Sequence, residues 1–598
     1  MLQICPQALS IPLKILFDRC MREGSFPSIW KRANVQPVHK KESKQSKTQY
    51  RPISLLPICG KIFEKIIFDQ MYEFLNSNNL ISQNQSGFRP GDSTINQLLS
   101  ITTEIYEAYE NYEETRAVFL DISKAFDKVW HEGLIFKLKE NGVNGPLINL
   151  IYSFLTDRKQ RVVLNGCESD WEDVHSGVPQ GSVLGPLLFL VYINDLTDNI
   201  SSNMRLFADD SSLFAIVRNT QETHDKLVND LSTISAWAHQ WKMQFNPDIS
   251  KQAIEVIFSH KNNKPDHPLL VFNGIPVARR KSTKHLGLIL DERLSFRLHI
   301  KEALQKAKKG LGLLKYMSRH VTRDVLDTMY KMYIRPHLEY ADVIYHGQNQ
   351  ESMDLLESIQ YQAARIVTGC WQGTSRIKLY NEIGWESLHE RRRYRRLTLY
   401  FKINYNMTPN YLKSHIANIP LGHTNRYNQS FFPYCASEWN ELSESLKSSS
   451  SLSIFKKDLI KDIRPSPNKI FSIKDKHGIS LITRLRVEFS DLRDHRFHHS
   501  FNCASATCLC DLESETTEHF LLRCPRFTQS RACLFNTIEE ILDIPDILFI
   551  AEDDLCSIIL FGSKKHSDDI NKTLLNATIR FIRSTKRFDK IEAYQNVD

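Results

Sequence analysis

Phe207-Ala208-Asp209-Asp210 places two adjacent carboxylates between Met204-Arg205-Leu206 and Ser211-Ser212-Leu213-Phe214-Ala215-Ile216-Val217, a pattern of strand, tight turn and strand. A further carboxylate, Asp121, closes the apolar run Ala117-Val118-Phe119-Leu120, which reads as a buried strand. A hairpin tip beside that strand end would bring Asp121 and Asp209 together. Two divalent cations about 3.5–4 Å apart clamp the attacking and leaving oxygens of a phosphoryl transfer, and hard cations take oxygen ligands. One Asp from each of two neighbouring strands is a minimal cage for two Mg2+ ions, and Asp121 and Asp209 take that role. Strand neighbours point to opposite faces, so Asp209 and Asp210 are expected to be inequivalent. An isolated Asp-Asp pair would read as a solvated turn; the flanking strands and Asp121 argue otherwise. Asp127, Asp195 and Asp198 are assigned to caps or to the surface.

Between the acidic blocks lies Ser176-Gly177-Val178-Pro179-Gln180-Gly181-Ser182-Val183-Leu184-Gly185-Pro186. Gln180 can hydrogen-bond sugar or base edges, and Gly181 lets backbone approach a ligand closely. The three blocks, in this order, resemble motifs A, B and C of a reverse transcriptase. The resemblance continues through Tyr50-Arg51-Pro52-Ile53-Ser54-Leu55-Leu56-Pro57, Gln85-Ser86-Gly87-Phe88-Arg89, Phe189 to Leu196, Trp241 to Lys251 and His285-Leu286-Gly287-Leu288. With the helical region beyond, it covers nearly the whole chain and is similar to the polymerase of a non-LTR, LINE-type retrotransposon near the jockey-like group.

That resemblance implies an α+β right-hand polymerase: fingers over 1–118, a palm with an antiparallel sheet over 119–290, a helical thumb with a basic extension over 291–402, a connector over 403–470 and a C-terminal region over 471–598. It implies RNA-directed DNA synthesis from a nicked target end, with template RNA, a primer DNA end and deoxynucleotide triphosphates as partners. Asp209 then binds metal directly and Asp210 is peripheral. Phe126 stands where the family places an aromatic steric gate against the ribose 2′-hydroxyl, which separates RNA from DNA precursors; a ring packed in the core is the other reading. Arg51 matches the arginine that holds the incoming triphosphate with its planar fork, helped by Lys40 or Lys41. Lys251 matches a general acid for the leaving pyrophosphate, with a solvated lysine as the alternative. Leu286 and Gly287 match the primer-grip hairpin. A catalytically silent nucleic-acid-binding remnant is the rival function, and a group II intron maturase or telomerase-like enzyme shares the palm. Such polymerases commonly carry an endonuclease domain ahead of them, and Cys5 to Trp30 already reads as the helical lead-in to the fingers, so a truncated element is expected and DNA nicking is not.

Size and charge agree with a nucleic-acid enzyme of several domains: 598 residues, 41% hydrophobic, net charge +8. Residues 1–65 hold twelve Lys or Arg against four Asp or Glu, and residues 297–335 hold ten against three. Those excesses would neutralise template and primer phosphates, making binding strongly salt dependent. Arg391-Arg392-Arg393-Tyr394-Arg395-Arg396 is a further cluster, suited to phosphate contacts and stacking on RNA, to nuclear localisation or merely to a solvated helical face. The longest apolar run, Val183 to Ile193, falls short of the about 18 residues needed to span a membrane. With no cleavable leader, an intracellular protein of nucleus or cytoplasm is expected. Its twelve cysteines are then thiols or metal ligands rather than disulfides.

Cys503, Cys508, Cys510, His519 and Cys524 gather within 22 residues, 503 to 524. Three thiolates and an imidazole satisfy tetrahedral Zn2+ with no open position, a structural arrangement, and the stretch resembles the zinc-knuckle-like C-terminus of these retroelements. Cys508, Cys510, His519 and Cys524 are the expected ligands, with Cys503 a possible replacement for Cys508 and unliganded thiols the alternative. Arg484, Arg486, Arg493, Arg496 and Arg523 nearby suit contact with nucleic acid. Helices are expected at 61–75, 94–109, 297–319, 323–333 and 352–368, a flexible connection at Ser443 to Ser453 and a boundary at Arg464-Pro465-Ser466-Pro467-Asn468.

Overall fold

The apolar run that ends in Asp121 is the strand Glu114–Asp121, buried on both faces at the middle of a five-stranded sheet. The computed structural model describes residues 6–40, 44–347, 350–417, 422–461, 473–499, 503–563 and 565–589. Lys41 and the Arg464 to Asn468 boundary lie outside these described residues. Two units divide the chain, residues 1–296 with 403–433 and residues 297–402 with 434–598.

Numbered along the chain, the strands of the first unit are β1 (Arg32–His39), β2 (Tyr50–Leu55), β3 (Glu114–Asp121), β4 (Arg158–Leu164), β5 (Cys167–Glu168), β6 (Glu172–Val174), β7 (Asn203–Phe207), β8 (Asp210–Val217), β9 (Ala253–Phe258), β10 (Val271–Phe272), β11 (Ile275–Pro276), β12 (Ala278–Arg279), β13 (Ser282–His285) and β14 (Leu288–Asp291). The sheet holding β3 runs β12-β9-β3-β8-β7, with β3 antiparallel to both of its neighbours. Below it the helix Leu184–Ile193 is apolar on every side and almost wholly buried, as a helix at the centre of a core must be. Arg116 on β3 and Glu255 on β9, both fully buried, pair at 2.5 Å and tie the two strands in register. Removing either partner of such a pair typically costs about 3–5 kcal/mol, because the other charge is left without compensation.

A second sheet runs β2-β1-β4-β5, with β6 on β4. It draws β4 out of the range expected for the palm and pairs it in parallel with β1, so the division expected at residue 118 is crossed by the chain. The helices expected at 61–75 and 94–109 are Ile58–Ser77 and Thr94–Glu110, the second capped by the Ser93 side chain on the Asn96 N–H.

The connector expectation is corrected. Residues 403–433 belong to the first unit, where Tyr411 Oη donates to Asp92 at 2.8 Å and Thr424 Oγ1 donates to Glu110 at 2.6 Å. Nor is Ser443 to Ser453 a flexible link, since it enters the helices Glu444–Lys447 and Leu452–Lys461. Its serines serve helix ends: Ser448 Oγ donates to Glu444 O at 2.7 Å and Ser451 Oγ accepts from Ile454 N at 3.3 Å.

The second unit is helical. Arg297–Met317 packs on a helix that starts at Arg323–Met329, widens into a π turn at Tyr330–Ile334 and ends as Arg335–Glu339. Pro336 supplies no N–H there, which accounts for the break in the ladder. Gln350–Thr368 lies against the first of these helices. Among the described residues no helix is long and apolar enough to cross a membrane.

Candidate active site

Asp121 is the last residue of β3 and faces Asp210 directly across the β3–β8 pair. Opposed residues of an antiparallel pair share a face, so Asp210, to which the resemblance gives a peripheral role, stands on the same side as Asp121. Phe207 pairs with Asp210, which leaves Ala208-Asp209 as a two-residue hairpin loop. Ala208 takes φ +56°, a conformation that costs an L-residue about 1–2 kcal/mol.

Neighbours hold the strained tip. Gln85 Oε1 accepts from both Gly87 N at 2.8 Å and Ala208 N at 2.9 Å, while Ser86 N donates to Leu206 O at 2.9 Å and Leu206 N to Asn84 O at 2.8 Å. A Cβ on Gly87 would lie 2.3 Å from Ala208 N, so only glycine permits this approach. Gln85-Ser86-Gly87 therefore acts as a clamp on the acidic turn.

Burial, reinforced by the charge of Asp121, raises the Asp209 carboxyl above the usual range, with Arg51 and Lys40 opposing. The Asp210 residue reaches solvent, yet the protein around its carboxyl, together with Asp209 and Asp121, pushes it up to about 7, again opposed by Arg51. Three carboxylates are thus crowded at one strand end, and the cations in reach are Arg51 from β2 and Lys40. Asp209 and Asp210, whose carboxyls resist ionisation in the bare protein, form with the neighbouring Asp121 a set of oxygen donors suited to hard divalent cations.

Gln180 is aimed by a residue that the sequence reading left at the surface. Its Nε2 donates to Asp127 Oδ1 at 2.8 Å, and its carbonyl accepts from Ser54 N of β2 at 2.7 Å. Gly181, at φ +117°, has its open side against Ser54 O, which a Cβ would meet at 2.6 Å. The close backbone approach that Gly181 makes here is to β2. Behind this loop, the buried Glu64 accepts from Val183 N at 2.7 Å and Leu184 N at 3.1 Å, closing the start of the central helix.

Phe126 is half-buried, stacked on Phe189 at 4.4 Å and edge-on to Phe88 at 5.9 Å. Lys251 is exposed on Ile249–Gln252 and lies 3.4 Å from Asp248. Leu286 and Gly287, at φ +46° and +85°, form the turn between β13 and β14. The ring of His285 sits 5.0 Å from Phe119, which shares a strand face with Asp121 by the two-residue period.

In the second unit, Cys508 Sγ lies 3.7 Å from Cys524 Sγ and Cys510 Sγ lies 3.3 Å from His519 Nε2. All four ligand atoms fall within 4.8 Å of one another. A tetrahedron with bonds of about 2.3 Å has edges of about 3.8 Å, so the spacing fits a metal and is far too long for a disulfide, about 2.05 Å. Glu513 Oε1 lies 2.8 Å from His519 Nδ1 and turns the other ring nitrogen to the thiols. Cys503 points away, donating to Ser505 O at 3.2 Å.

The arginine run requires a correction. None of the five is exposed: Arg396 is bidentate to Glu438 at 2.6 and 3.0 Å, Arg391 pairs with Glu339 and Glu386, and Arg395 pairs with Glu339 and Asp342. Arg393 lies 3.8 Å from Glu438, and Arg392 is 4% exposed. Carboxylates remote in sequence take up the charge that a phosphate backbone was expected to meet. Arg484, Arg486 and Arg523 are likewise engaged, on Gly369 O, on Glu382 with Leu560 O, and on Glu513 with Glu552.

Residues 38–290 match the family model for reverse transcriptase (RNA-dependent DNA polymerase). Among curated proteins, the chain is 31% identical over 379 residues to a probable RNA-directed DNA polymerase from transposon X-element of Drosophila melanogaster, covering 62% of this chain and 41% of that one. It is 29% identical over 376 residues to the RNA-directed DNA polymerase from mobile element jockey of the same species, covering 61% and 40%. The match thus spans about two fifths of these relatives' length. A solved apo telomerase from Candida tropicalis aligns with TM-score 0.37 and 10% identity over 76% of this chain and 74% of that one, too distant a likeness to bear weight. Residues 38–290 are thus similar to a reverse transcriptase domain, and the relatives named above are polymerases of a transposon and a mobile element.

Proposed function

We propose that the chain is the polymerase of a non-LTR retrotransposon and copies RNA into DNA by two-metal nucleotidyl transfer, in target-primed reverse transcription. The observation that carries this reading is the meeting of Asp121, Asp209 and Asp210 at one strand end, with the charge of Arg51 reaching Asp209 and Asp210 and that of Lys40 reaching Asp209. Asp121 and Asp209 would hold two Mg2+ ions, and Asp210 backs them. When bound, the ions make the primer 3′-hydroxyl a better nucleophile and neutralise charge on the transferred phosphate. Arg51 clasps the triphosphate with a planar fork, assisted by Lys40. Gln180, held by Asp127, meets the sugar or base edge of the nucleotide. Lys251 Nζ gives its proton to the departing pyrophosphate, and the Leu286-Gly287 turn bears on the primer end.

In right-hand terms, the sheet bearing Asp121 is the palm, the β1–β2–β4 sheet belongs to the fingers, and the helices from Arg297 form the thumb. Template RNA, a primer DNA end and deoxynucleotide triphosphates are the partners. Zn2+ held by Cys508, Cys510, His519 and Cys524 is structural, since all four positions are filled by protein.

Primer extension on poly(rA)/oligo(dT) tests this reading. Mg2+-dependent DNA synthesis is expected, and none from well-folded chain would refute it. Phe126 supplies a finer check. Its ring is fixed by Phe189 and Phe88, so Phe126→Ala is expected to open space for a 2′-hydroxyl and raise the use of ribonucleotides about tenfold or more relative to deoxynucleotides, roughly 1.4 kcal/mol of discrimination. Competition between the two nucleotide types in single-turnover extension measures it; an unchanged ratio would leave Phe126 a core residue.

A further inference from the structure

Asn246 follows a sheet-like contact made just beyond the end of β3, additional to its pairing with β8 and β9. Ser123 N donates to Gln244 O at 2.9 Å, Ile122 bridges Phe245, and Asn246 N donates to Asp121 O at 2.9 Å. Its side chain then turns back: Nδ2 donates to Asp121 Oδ2 at 2.6 Å, while Oδ1 accepts from Asp248 N at 3.0 Å. This assignment of the amide is forced by chemistry, because an ionised carboxylate only accepts and a backbone N–H only donates. The platform is anchored in the core, with Phe245 buried and edge-on to Phe272 at 4.8 Å.

We propose that Asn246 is the positioning residue of Asp121, fixing the rotation of its carboxylate so that one oxygen is tethered and the other is left for a divalent cation. This rests on the metal-ligand role given to Asp121 above. Mg2+ demands near-ideal geometry, so a carboxylate free to swivel would bind it less well. The same amide closes the Asx turn that leads into Ile249–Gln252, the helix carrying Lys251.

Two substitutions separate these duties. Asn246→Ser keeps an oxygen that can accept from Asp248 N as a Ser turn does, but falls a heavy atom short of Asp121. Asn246→Ala loses both bonds. Mn2+ binding to the full chain, followed by electron paramagnetic resonance without nucleic acid or nucleotide, is expected to weaken about 10–100-fold in both variants, as loss of an outer partner of a metal ligand usually does. The Mg2+ concentration for half-maximal extension should rise by a similar factor, with the KM for nucleotide at saturating Mg2+ within about threefold of the parent. Wild-type affinity in Asn246→Ser overturns the proposal and reduces Asn246 to a turn residue. If the parent chain binds Mn2+ but extends no primer, the polymerase reading fails while weakened binding in both variants still supports this role. If the parent extends primers and neither variant binds metal less well, the converse holds.

Discussion

Asp209→Ala is expected to lower Mg2+-dependent primer extension about a thousandfold or more, roughly 4 kcal/mol of transition-state stabilisation, without lowering the melting temperature of the metal-free chain. The first part follows from removing one of two side chains that would share the ions. The second follows from electrostatics. Burial and the charge of Asp121 raise the Asp209 carboxyl in the folded chain. A carboxylate that binds its proton more tightly when folded opposes folding above its unfolded pKa, and the penalty is complete once the pH exceeds the folded value. Deleting it removes that penalty, so melting in the presence of a chelator should be unchanged or move upward. Asp209→Asn keeps the shape and should behave alike. A variant that lost activity only in proportion to lost fold would make Asp209 a structural residue.

Stripping metal from the second unit should produce the other large effect. Cys508, Phe520, Leu521 and Cys524 are part of the apolar core that includes Ile479, Leu485, Leu534 and Ile559, so the Cys/His cluster and that core are one body. Structural zinc contributes about 10–16 kcal/mol to small zinc peptides; a segment backed by its own core should depend on it less, by several kcal/mol, or roughly 10 °C in the transition of this unit. A strong chelator, or Cys508→Ser, is therefore expected to loosen the backbone around Arg523 and Arg526, whose side chains are already exposed, and so to speed tryptic cleavage after them. Resistance unchanged after verified loss of metal would show that the four side chains meet for packing alone.

Local pattern carries much of this structure. The apolar run to Leu120 and the strand-turn-strand around Asp209 are legible because strand residues alternate or run apolar over short spans, and these become β3, β7 and β8. The Cys/His grouping is legible from ligand chemistry and spacing, and its four atoms meet. What the sequence hides are partners from distant segments. Arg391, Arg395 and Arg396 read as a basic surface because Glu339, Asp342 and Glu438 lie some forty to fifty residues away. Asp127 and Asn246 look like loop residues until Gln180 and Asp121 are found beside them. The serines of Ser443 to Ser453 suggest a linker by composition, though the same hydroxyls serve helix ends. Residues 403–433 fail as a connector for the same reason, since contacts with Asp92 and Glu110 fix them and no local pattern announces it.

The central claim is that Asp121 and Asp209 bind divalent ions together. Fe2+ substituted for Mg2+, with peroxide and ascorbate, cuts backbone next to its ligands, and mapping those cuts in the full chain is the most direct test. Cleavage centred on both 121 and 207–210, competed by Mg2+ and absent from Asp209→Ala, is the expected result. Cleavage confined to one of these segments, or to neither, in a chain that still extends primers would contradict it.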